Sequence, residues 1–489
     1  MSSVALCASA GRRRMGLPVC LLVWGMAGWA ARAQDAREVK EPVIPATCVK
    51  LEAKIVAVGE VLKEADEALA DTARIQVAID QCKAGMAVEL ARGPSTGNAH
   101  LEAAANAFLS GPLQLREGVT LLIDQGVTLF ASRRASDYDS TAPGTCGTMP
   151  TQGRCKPFIT IRAKHTAIMG DGTIDGRGGA KLLDKDYSWW ALAVKAEPGN
   201  ISYSDPRLID AAQADGFTLY RITLHNSPNF HVGVSGTNGF TAWGVHLKTP
   251  TVEPGPNDPR PRNTDGIDPG SSTNITIAHS WIDNGDDNVA IKTGVTHMSV
   301  LDNHFYSGHG MSIGSETYSG DSFILVDGLT EDHTSSGIRI KSNVTRGGLV
   351  HDLIYRNICM RDVQVPIAIS PYYNNGTIDQ FFDPGFKGER IPDYKNIRIE
   401  NVTDLTPGDV LIAGYDEAHR TQVVLKDVTI KGITLDKMHL KFADISDDKT
   451  SLPLEKAAEG NHVKVDYGGS PDGPNPPPYS CDGKFVPMR

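Results

Sequence analysis

The sequence is dominated by short β-type segments that recur at a nearly constant interval. Phe217, Phe240, Ile275 and Met298 each begin such a segment, and the first pair and the second pair are both 23 residues apart. Gly, Asp or Asn bounds the segments, as expected of strands that end in turns. A repeat in the low twenties that is built from strands and turns predicts a solenoid, in which each repeat stacks on its neighbours.

Among solenoids, an all-β, right-handed parallel β-helix fits these segments best. The repeats show neither a Leu-x-x-Leu-x-Leu framework nor a recurring helix pattern, which argues against a leucine-rich repeat. One helical pattern precedes the repeats, with Ile75, Ala78, Ile79 and Cys82 at helical spacing and Asp71 or Thr72 available as its cap. We therefore expect a short N-terminal helix that covers one end of the β-helix.

A second set of segments keeps the same period and carries the candidate catalytic residues. The equivalent positions, separated by 22 residues, are Ile267, Val289 and Met311. Asp265, Asp287 and His309 each lie two residues before one of them and therefore share their register. Because neighbouring parallel strands lie about 4.8 Å apart, these three side chains should meet in one surface patch.

The remaining segments indicate one catalytic domain with extensions. We expect residues 71–467 to form the β-helix, residues 34–70 to form an N-terminal extension, and residues 468–489 to form an irregular tail rich in Gly and Pro. Longer intervals at residues 177–212, 314–336 and 371–395 interrupt the repeat. They should form loops around the patch.

Residues 1–33 have the order of a cleavable signal peptide: three arginines, an apolar run from Leu17 to Ala30, and Ala31-Arg32-Ala33. The apolar run is shorter than the roughly 20 residues of a transmembrane helix. We expect a secreted or periplasmic monomer without membrane attachment. Loss of four arginines and no acid changes the formal charge from -10 to -14, which argues against a nucleic-acid partner.

Six cysteines follow the signal segment, in a compartment where disulfides persist: Cys48, Cys82, Cys146, Cys155, Cys359 and Cys481. Proximity in the sequence predicts that Cys48 pairs with Cys82 and that Cys146 pairs with Cys155. The spacings do not resemble a zinc site. We expect neither a metal nor an organic cofactor.

Carboxylates and cations on consecutive repeats predict the chemistry of the patch. Glycoside hydrolysis needs one protonated carboxyl and one carboxylate, and Asp265, Asp286 and Asp287 offer three candidates. Crowding of like charges raises at least one of their pKa values. On a following repeat, Arg339 and Lys341 alternate around a buried position and point to the same side, where they could bind a sugar carboxylate. Lys292 could add a further positive charge.

Four motifs together resemble those of the polygalacturonases of glycoside hydrolase family 28, and they occur in that family's order. They are Asn263-Thr264-Asp265, Gly285-Asp286-Asp287, Gly308-His309-Gly310 and Arg339-Ile340-Lys341. The resemblance extends from about Thr72 to beyond Val402 and includes the stretches SGPLQL and GDGTIDG. It implies a right-handed parallel β-helix and a metal-free, inverting hydrolysis of α-1,4-linked galacturonate.

The resemblance also implies a role for each motif. Asp286 would be the general acid, Asp265 and Asp287 would hold and activate the water, and His309 would tune the protonation of the acid. Arg339 and Lys341 would bind a sugar carboxylate on the leaving-group side. A family tyrosine falls at Tyr373 or at the adjacent Tyr372, and Asn263 shapes the turn before Asp265 or contacts substrate. Asn288 stands where a cysteine often follows the paired aspartates, a change that should affect packing more than chemistry.

Alternatives are a calcium-dependent pectate lyase, which also uses a β-helix, and a noncatalytic β-helix that binds carbohydrate. The family motifs argue against the lyase, and the register of the carboxylates argues against the noncatalytic protein. The family resemblance further implies homogalacturonan as the substrate, because relatives that act on rhamnogalacturonan tend to lack the Gly-His-Gly motif that contains His309. The sequence does not decide whether the polymer is cut internally or from its ends. The inserted loops favour attack at the chain ends.

Overall fold

Parallel strands wind around a single apolar core, and this arrangement confirms the predicted right-handed parallel β-helix. The computed structural model describes residues 34–94, 104–249, 260–374, 382, 385–468 and 478–488. The predicted signal peptide, residues 1–33, lies outside them. The part of the chain that is described contains two sheets, of eleven and 22 strands.

The eleven-stranded sheet takes one strand from each coil. Its strands are Leu113–Leu115, Ile159–Ile161, Ile209–Ala212, Val232–Ser235, Ile267–Gly270, Val289–Ile291, Met311–Gly314, Ser336–Lys341, Val365–Ser370, Val410–Ala413 and Met438–Lys441.

The 22-stranded sheet forms the remaining walls of the coils. Its strands are Thr47–Glu52, Ala87–Ala91, Ala107–Ser110, Thr120–Ile123, Thr128–Ala131, Ala167–Met169, Thr173–Asp175, Thr218–Tyr220, Thr223–His225, Asn238–Trp243, His246–Lys248, Thr273–Ala278, Trp281–Asp283, Thr296–Leu301, His304–Tyr306, Asp321–Asp327, Thr330–Asp332, Gly348–Arg361, Pro392–Asp404, Thr421–Ile430, Ala443–Asp448 and Lys464–Tyr467.

Apolar side chains stack in columns inside the eleven-stranded sheet. Ile267 pairs with Val289, Val289 with Met311, and Met311 with Ile338, so the register predicted from the 22-residue period is confirmed. All four side chains are fully buried. Since successive residues of a strand point to opposite faces, the residues between these columns point outward and form the surface of the sheet.

One turn of each coil repeats a left-handed backbone conformation. At this position, eight successive coils place a residue with φ between 51° and 77°. In the first five coils the residue separates two strands of the 22-stranded sheet, and in the last three it lies within one continuous strand. The eight residues are Arg221, Gly244, His279, Asp302, Gly328, Asn357, Asn401 and Asp427. Gly, Asn and Asp supply six of the eight positions, because these residue types tolerate positive φ best.

The predicted N-terminal helix is Thr72–Gln81. It buries Ile75 and Ile79 against the first coil, and the side-chain amide of Gln76 bonds to the backbone of Gln114. The other α-helices among the described residues are Trp189–Ala196 and Leu454–Ala458, and the 3-10 helices are Glu64–Ala68, Ala135–Tyr138, Glu197–Gly199 and Leu435–Lys437. No helix among the described residues is long and apolar enough to cross a membrane.

Three disulfides are formed among the described residues, and two of them hold segments near the ends of the chain, at Cys48 and Cys481. The pairs predicted from proximity, Cys48–Cys82 and Cys146–Cys155, are confirmed, and the third bond joins Cys359 to Cys481. The strand Thr47–Glu52 pairs in parallel with Ala87–Ala91, so the segment expected to be an extension adds a strand to the β-helix.

Truncation of a core column should destabilise the whole stack of coils. Ile277 is fully buried between Ala242 and Val300 of the neighbouring coils. Ile277→Ala should therefore lower the free energy of unfolding by roughly 2–5 kcal/mol, measured by urea unfolding. As a control, Val77→Ala on the exposed face of the N-terminal helix should change it by no more than about 0.5 kcal/mol. Equal losses in the two variants would contradict the packing described here.

Candidate active site

Three consecutive strands of the eleven-stranded sheet bring the candidate residues together at their N-terminal ends. Asp265 precedes Ile267–Gly270, Asp286 and Asp287 precede Val289–Ile291, and His309 precedes Met311–Gly314. The N–H of Gly266 donates to the carbonyl of Asp287, and the N–H of His309 donates to that of Asp286, both at 2.9 Å. Carboxylate oxygens of the three aspartates lie within 4.8 Å of one another.

Asn288 shapes the turn that carries the paired aspartates. Its buried amide donates to the carbonyls of Ile282 and Tyr306 and to the Oδ1 atom of Asn284, while its own Oδ1 accepts the N–H of Gly310. These bonds link the aspartate turn to the histidine turn of the next coil. A polar residue is therefore suited to this position, and its contribution is to the turn rather than to the surface of the site.

Asp287 is an ionised, fully paired carboxylate. Its Oδ1 accepts hydrogen bonds from the Ser312 hydroxyl at 2.7 Å and from Arg339 at 2.8 Å, and its Oδ2 accepts one from Lys341 at 2.7 Å. The side chain is only 1% exposed. Burial opposes its ionisation, but the positive charges of Lys341, Arg339 and Lys292 outweigh burial and lower the pKa of Asp287 below its usual range.

Asp265 has the opposite character. Burial, reinforced by the negative charges of Asp268 and Asp286, raises its pKa well above the usual value, and Lys292 opposes this shift. The ammonium of Lys292 lies 3.8 Å from Asp265 and 3.6 Å from Asp268. Asp268 is itself buried, and burial raises its pKa to about 7. Two neighbouring aspartates of the cluster thus have pKa values that are shifted in opposite directions.

Asp286 lies at the opening of the cluster and is half-buried. One carboxylate oxygen accepts a hydrogen bond from the N–H of Asp287 at 2.9 Å, and the other accepts one from the side-chain amide of Asn263 at 3.3 Å. The side-chain oxygen of Asn263 in turn accepts a hydrogen bond from the hydroxyl of Tyr203 at 2.9 Å. On the other side, burial lowers the pKa of His309 although the charge of Asp286 opposes the shift, and its Nδ1 lies 2.6 Å from the Ser335 hydroxyl.

The two cations of the fourth motif lie deeper than the sequence suggests. Both are buried, and both already pair with Asp287. The ring centroid of Tyr373 lies 5.2 Å from the Lys341 ammonium and 5.8 Å from the Arg339 guanidinium. Tyr372 packs elsewhere, against Tyr415. Of the two candidate tyrosines, the structure thus brings Tyr373 to the cations.

Three residues of the cluster were missed by the sequence analysis: Asp268, Ser312 and Tyr203. Asp268 and Ser312 occupy outward positions on the same strands as the motifs, so alternation alone could have found them. Tyr203 comes from the long interval at residues 177–212, whose path the sequence does not specify. The predicted residues Asp265, Asp286, Asp287, His309, Asn263, Lys292, Arg339, Lys341 and Tyr373 all lie in or next to the cluster.

Clustered carboxylates beside fixed cations, as on the surface of this parallel β-helix, are the groups that a glycosidase needs. The model of glycosyl hydrolases family 28 matches residues 95–450. The chain belongs to this family and is a glycosidase of the polygalacturonase type.

Individual relatives agree with this placement. The chain is 41% identical to an endo-polygalacturonase of Pectobacterium carotovorum subsp. carotovorum over 427 residues, which cover 86% of this chain and 95% of that protein. It is 39% identical to a polygalacturonase of Ralstonia nicotianae over 429 residues, 78% of this chain and 77% of that protein. The solved polygalacturonase of Erwinia carotovora ssp. carotovora superimposes with a TM-score of 0.71 at 39% identity, covering 83% of this chain and 100% of that structure.

The ionised carboxylate of Asp265 should destabilise the folded protein at neutral pH. Because its folded-state pKa is raised, the folded protein binds more protons than the unfolded chain above the unfolded pKa of about 3.9. The stability of the protein therefore falls as the pH rises from there through the folded pKa. Asp265→Asn should raise the free energy of unfolding at about pH 7.5, and the gain should vanish at about pH 3.5, below the unfolded pKa.

Urea unfolding at the two pH values measures this gain. The matched control is Asp171→Asn, which changes an exposed aspartate paired with Arg221 and should alter stability by no more than about 1 kcal/mol. A stability loss in Asp265→Asn at both pH values would show that the carboxylate stabilises the fold instead.

Proposed function

We propose that the protein hydrolyses α-1,4-galacturonosyl linkages of homogalacturonan, with Asp286 as the general acid and with Asp265 and Asp287 holding and activating the water. The observation that carries the proposal is the meeting of three carboxylates within 4.8 Å of one another, beside the buried cations Arg339 and Lys341. Glycoside hydrolysis needs two carboxyl groups in one site, and the lowered pKa of Asp287 keeps one of them ionised, as the water-activating role requires.

The position of Asp286 supports its role as the acid. It is the half-buried member of the cluster, so its carboxyl can reach a glycosidic oxygen, and Asn263 and the backbone N–H of Asp287 orient it. The imidazole of His309, with its lowered pKa, can exchange a proton with the acid between turnovers.

The cation pair supports a substrate that carries carboxylates. Arg339 and Lys341 are held by Asp287 under the ring of Tyr373, and Lys292 adds a third positive charge. A sugar carboxylate that binds there competes with Asp287 for its partners. Substrate binding then weakens the contacts that lower the pKa of Asp287, which makes Asp287 a stronger base when the water must be activated.

We propose internal attack on the polymer, which reverses the inclination towards terminal attack drawn from the sequence. The support is the endo-polygalacturonase of Pectobacterium carotovorum subsp. carotovorum, which shares 41% of its residues with this chain over 95% of its length. Mixed oligomers should therefore be the early products.

We also propose that the mature protein is exported and acts as a monomer on pectic polysaccharide, with residues 71–467 as the catalytic unit. Three disulfides support an oxidising compartment outside the cytosol. The N-terminal signal of residues 1–33 would direct the export.

One observation favours a second candidate function. The clustered oxygens of Asp265, Asp286 and Asp287, within 4.8 Å of one another, could also hold a divalent cation. A calcium-dependent lyase would then release unsaturated products and stop in chelator. The direct bonds of Arg339 and Lys341 to Asp287 favour the hydrolase, because they already neutralise one of the three carboxylates.

Asp286→Asn should lower the rate of polygalacturonate cleavage by about 10²–10⁴-fold, because the amide cannot donate the proton that the leaving oxygen needs. Chromatography of products, with calcium chelated, measures the rate and shows whether the products are saturated. Asp171→Asn serves as the matched control and should keep full activity. Full activity in Asp286→Asn, or unsaturated products that depend on calcium, would overturn the assignment.

The stereochemistry of the product is a separate test. The separation of 4.8 Å or less between carboxylate oxygens is shorter than the roughly 6.5–9.5 Å typical of inverting glycosidases. The family resemblance, and not this distance, supports inversion. We expect the first products of the α-linked polymer to have the β configuration at the new reducing end, as observed by proton NMR before mutarotation. Products that first appear as the α anomer would show retention.

A further inference from the structure

A cavity of about 510 Å³ lies on the same sheet as the active site, towards the N-terminal coils. Its lining includes Arg154, Arg162, Arg207, Asp205, Asp210 and Tyr203. None of the sequence motifs includes these residues. Arginines concentrated in one cavity of a net acidic protein need a specific explanation.

The cavity carries a net positive charge. Asp210 lies between two arginines, with its Oδ1 2.8 Å from Arg207 and its Oδ2 2.5 Å from Arg162. Asp205 adds little negative charge at neutral pH or below, since burial raises its pKa to about 8. With Arg154 also in the lining, three guanidinium groups face one ionised carboxylate.

Arg162 and Arg207 can bind a second carboxylate in addition to Asp210. The side chains of Arg162 and Arg207 are 42% and 44% exposed, so both are open to a ligand. A guanidinium has five N–H donors, and Arg207 keeps donors for another anion while it holds Asp210. Planar guanidinium groups bind carboxylates through paired hydrogen bonds.

The sheet connects this cavity with the active site. Asp210 and Asp268 occupy the same outward column, two coils or about 10 Å apart, with Gly233 on the coil between them. A Cβ at Gly233 would lie 3.0 Å from Arg207 and 3.3 Å from Asp210. Glycine at this position therefore leaves room for the Arg207–Asp210 pair. It also leaves the surface of the sheet between the two sites without a projecting side chain.

Two aromatic residues, Phe230 and Tyr203, each contact residues of both the arginine cavity and the active site. The ring of Phe230 lies 4.8 Å from the guanidinium of Arg207 and 5.8 Å from the ammonium of Lys292. Tyr203 lines the cavity and donates its hydroxyl to Asn263, which contacts Asp286. A chain that lies on the catalytic carboxylates can thus continue along the surface into the cavity.

We propose that this arginine cavity is a subsite for the free carboxylate of a galacturonate unit, on the side of the cut bond opposite to Arg339 and Lys341. This subsite would make the enzyme prefer a polymer whose galacturonate unit in the cavity is not esterified. The inference rests on the proposed function, since it takes galacturonan as the ligand. It also accounts for internal attack, because the site then binds units beyond the one that is cleaved.

Binding without turnover tests the subsite. In an Asp286→Asn background, we compare an octamer of galacturonate with a dimer, which is too short to span both sites, by titration calorimetry. Adding Arg162→Gln and Arg207→Gln should weaken octamer binding roughly tenfold, as expected for the loss of charge-assisted hydrogen bonds. Dimer binding should fall by less than octamer binding, because a dimer can bind at Arg339 and Lys341 without reaching the cavity. A second octamer, methyl-esterified throughout its non-reducing half, lacks the carboxylates that would reach the cavity. Its affinity for the Asp286→Asn protein should equal the affinity of the unmodified octamer for the protein that also carries Arg162→Gln and Arg207→Gln.

A matched control removes two arginines elsewhere. Arg221→Gln with Arg356→Gln disrupts two Arg–Asp pairs on the 22-stranded sheet and should leave octamer binding unchanged. Unchanged octamer affinity in the Arg162/Arg207 variant, or an equal loss for dimer and octamer, would overturn the subsite. Failure of the proposed function would appear differently, as an unsubstituted protein that does not hydrolyse polygalacturonate.

Discussion

The register between successive coils is the constraint on which the rest of the structure depends. Apolar columns such as Ile267, Val289 and Met311 point into the core, so a slip of one residue would turn them to solvent and bury the outward column. The same alternation holds Arg339 between two buried isoleucines. Side chains distant in sequence therefore reach one site because the strands that carry or follow them are in register.

Charge compensation across coils is the second constraint, and it follows from the first. Asp287 receives Ser312 from the next coil and Arg339 and Lys341 from the coil after that. A buried carboxylate without such partners would cost several kcal/mol. Lys292 supplies the corresponding charge beside Asp265. The strands thus bring anions and cations into contact, and the cluster persists in a protein that is acidic as a whole.

Much of this organisation could be predicted from the sequence, because the alternation of residues in strands is a local property. The fold, the N-terminal helix, two disulfides and the grouping of the carboxylates with His309 follow from periodicity, proximity and the four motifs. The direct pairing of Arg339 and Lys341 with Asp287 could not be predicted, since it depends on side-chain depth. Tyr203 could not be placed either, because it lies in an interval without a repeat. Neighbouring charges decide the opposite pKa shifts of Asp265 and Asp287, so residue types alone do not reveal them.

The proposed mechanism links substrate charge to catalysis through the contacts of Asp287. In the absence of substrate, Arg339 and Lys341 keep this carboxylate ionised but weakly basic. A galacturonate carboxylate offers the cations a second partner, and every hydrogen bond that moves to the sugar raises the proton affinity of Asp287. A neutral sugar of the same shape could not draw the cations away, so it would bind beside a poor base. Discrimination between charged and neutral units would then appear in the rate of the chemical step as well as in binding.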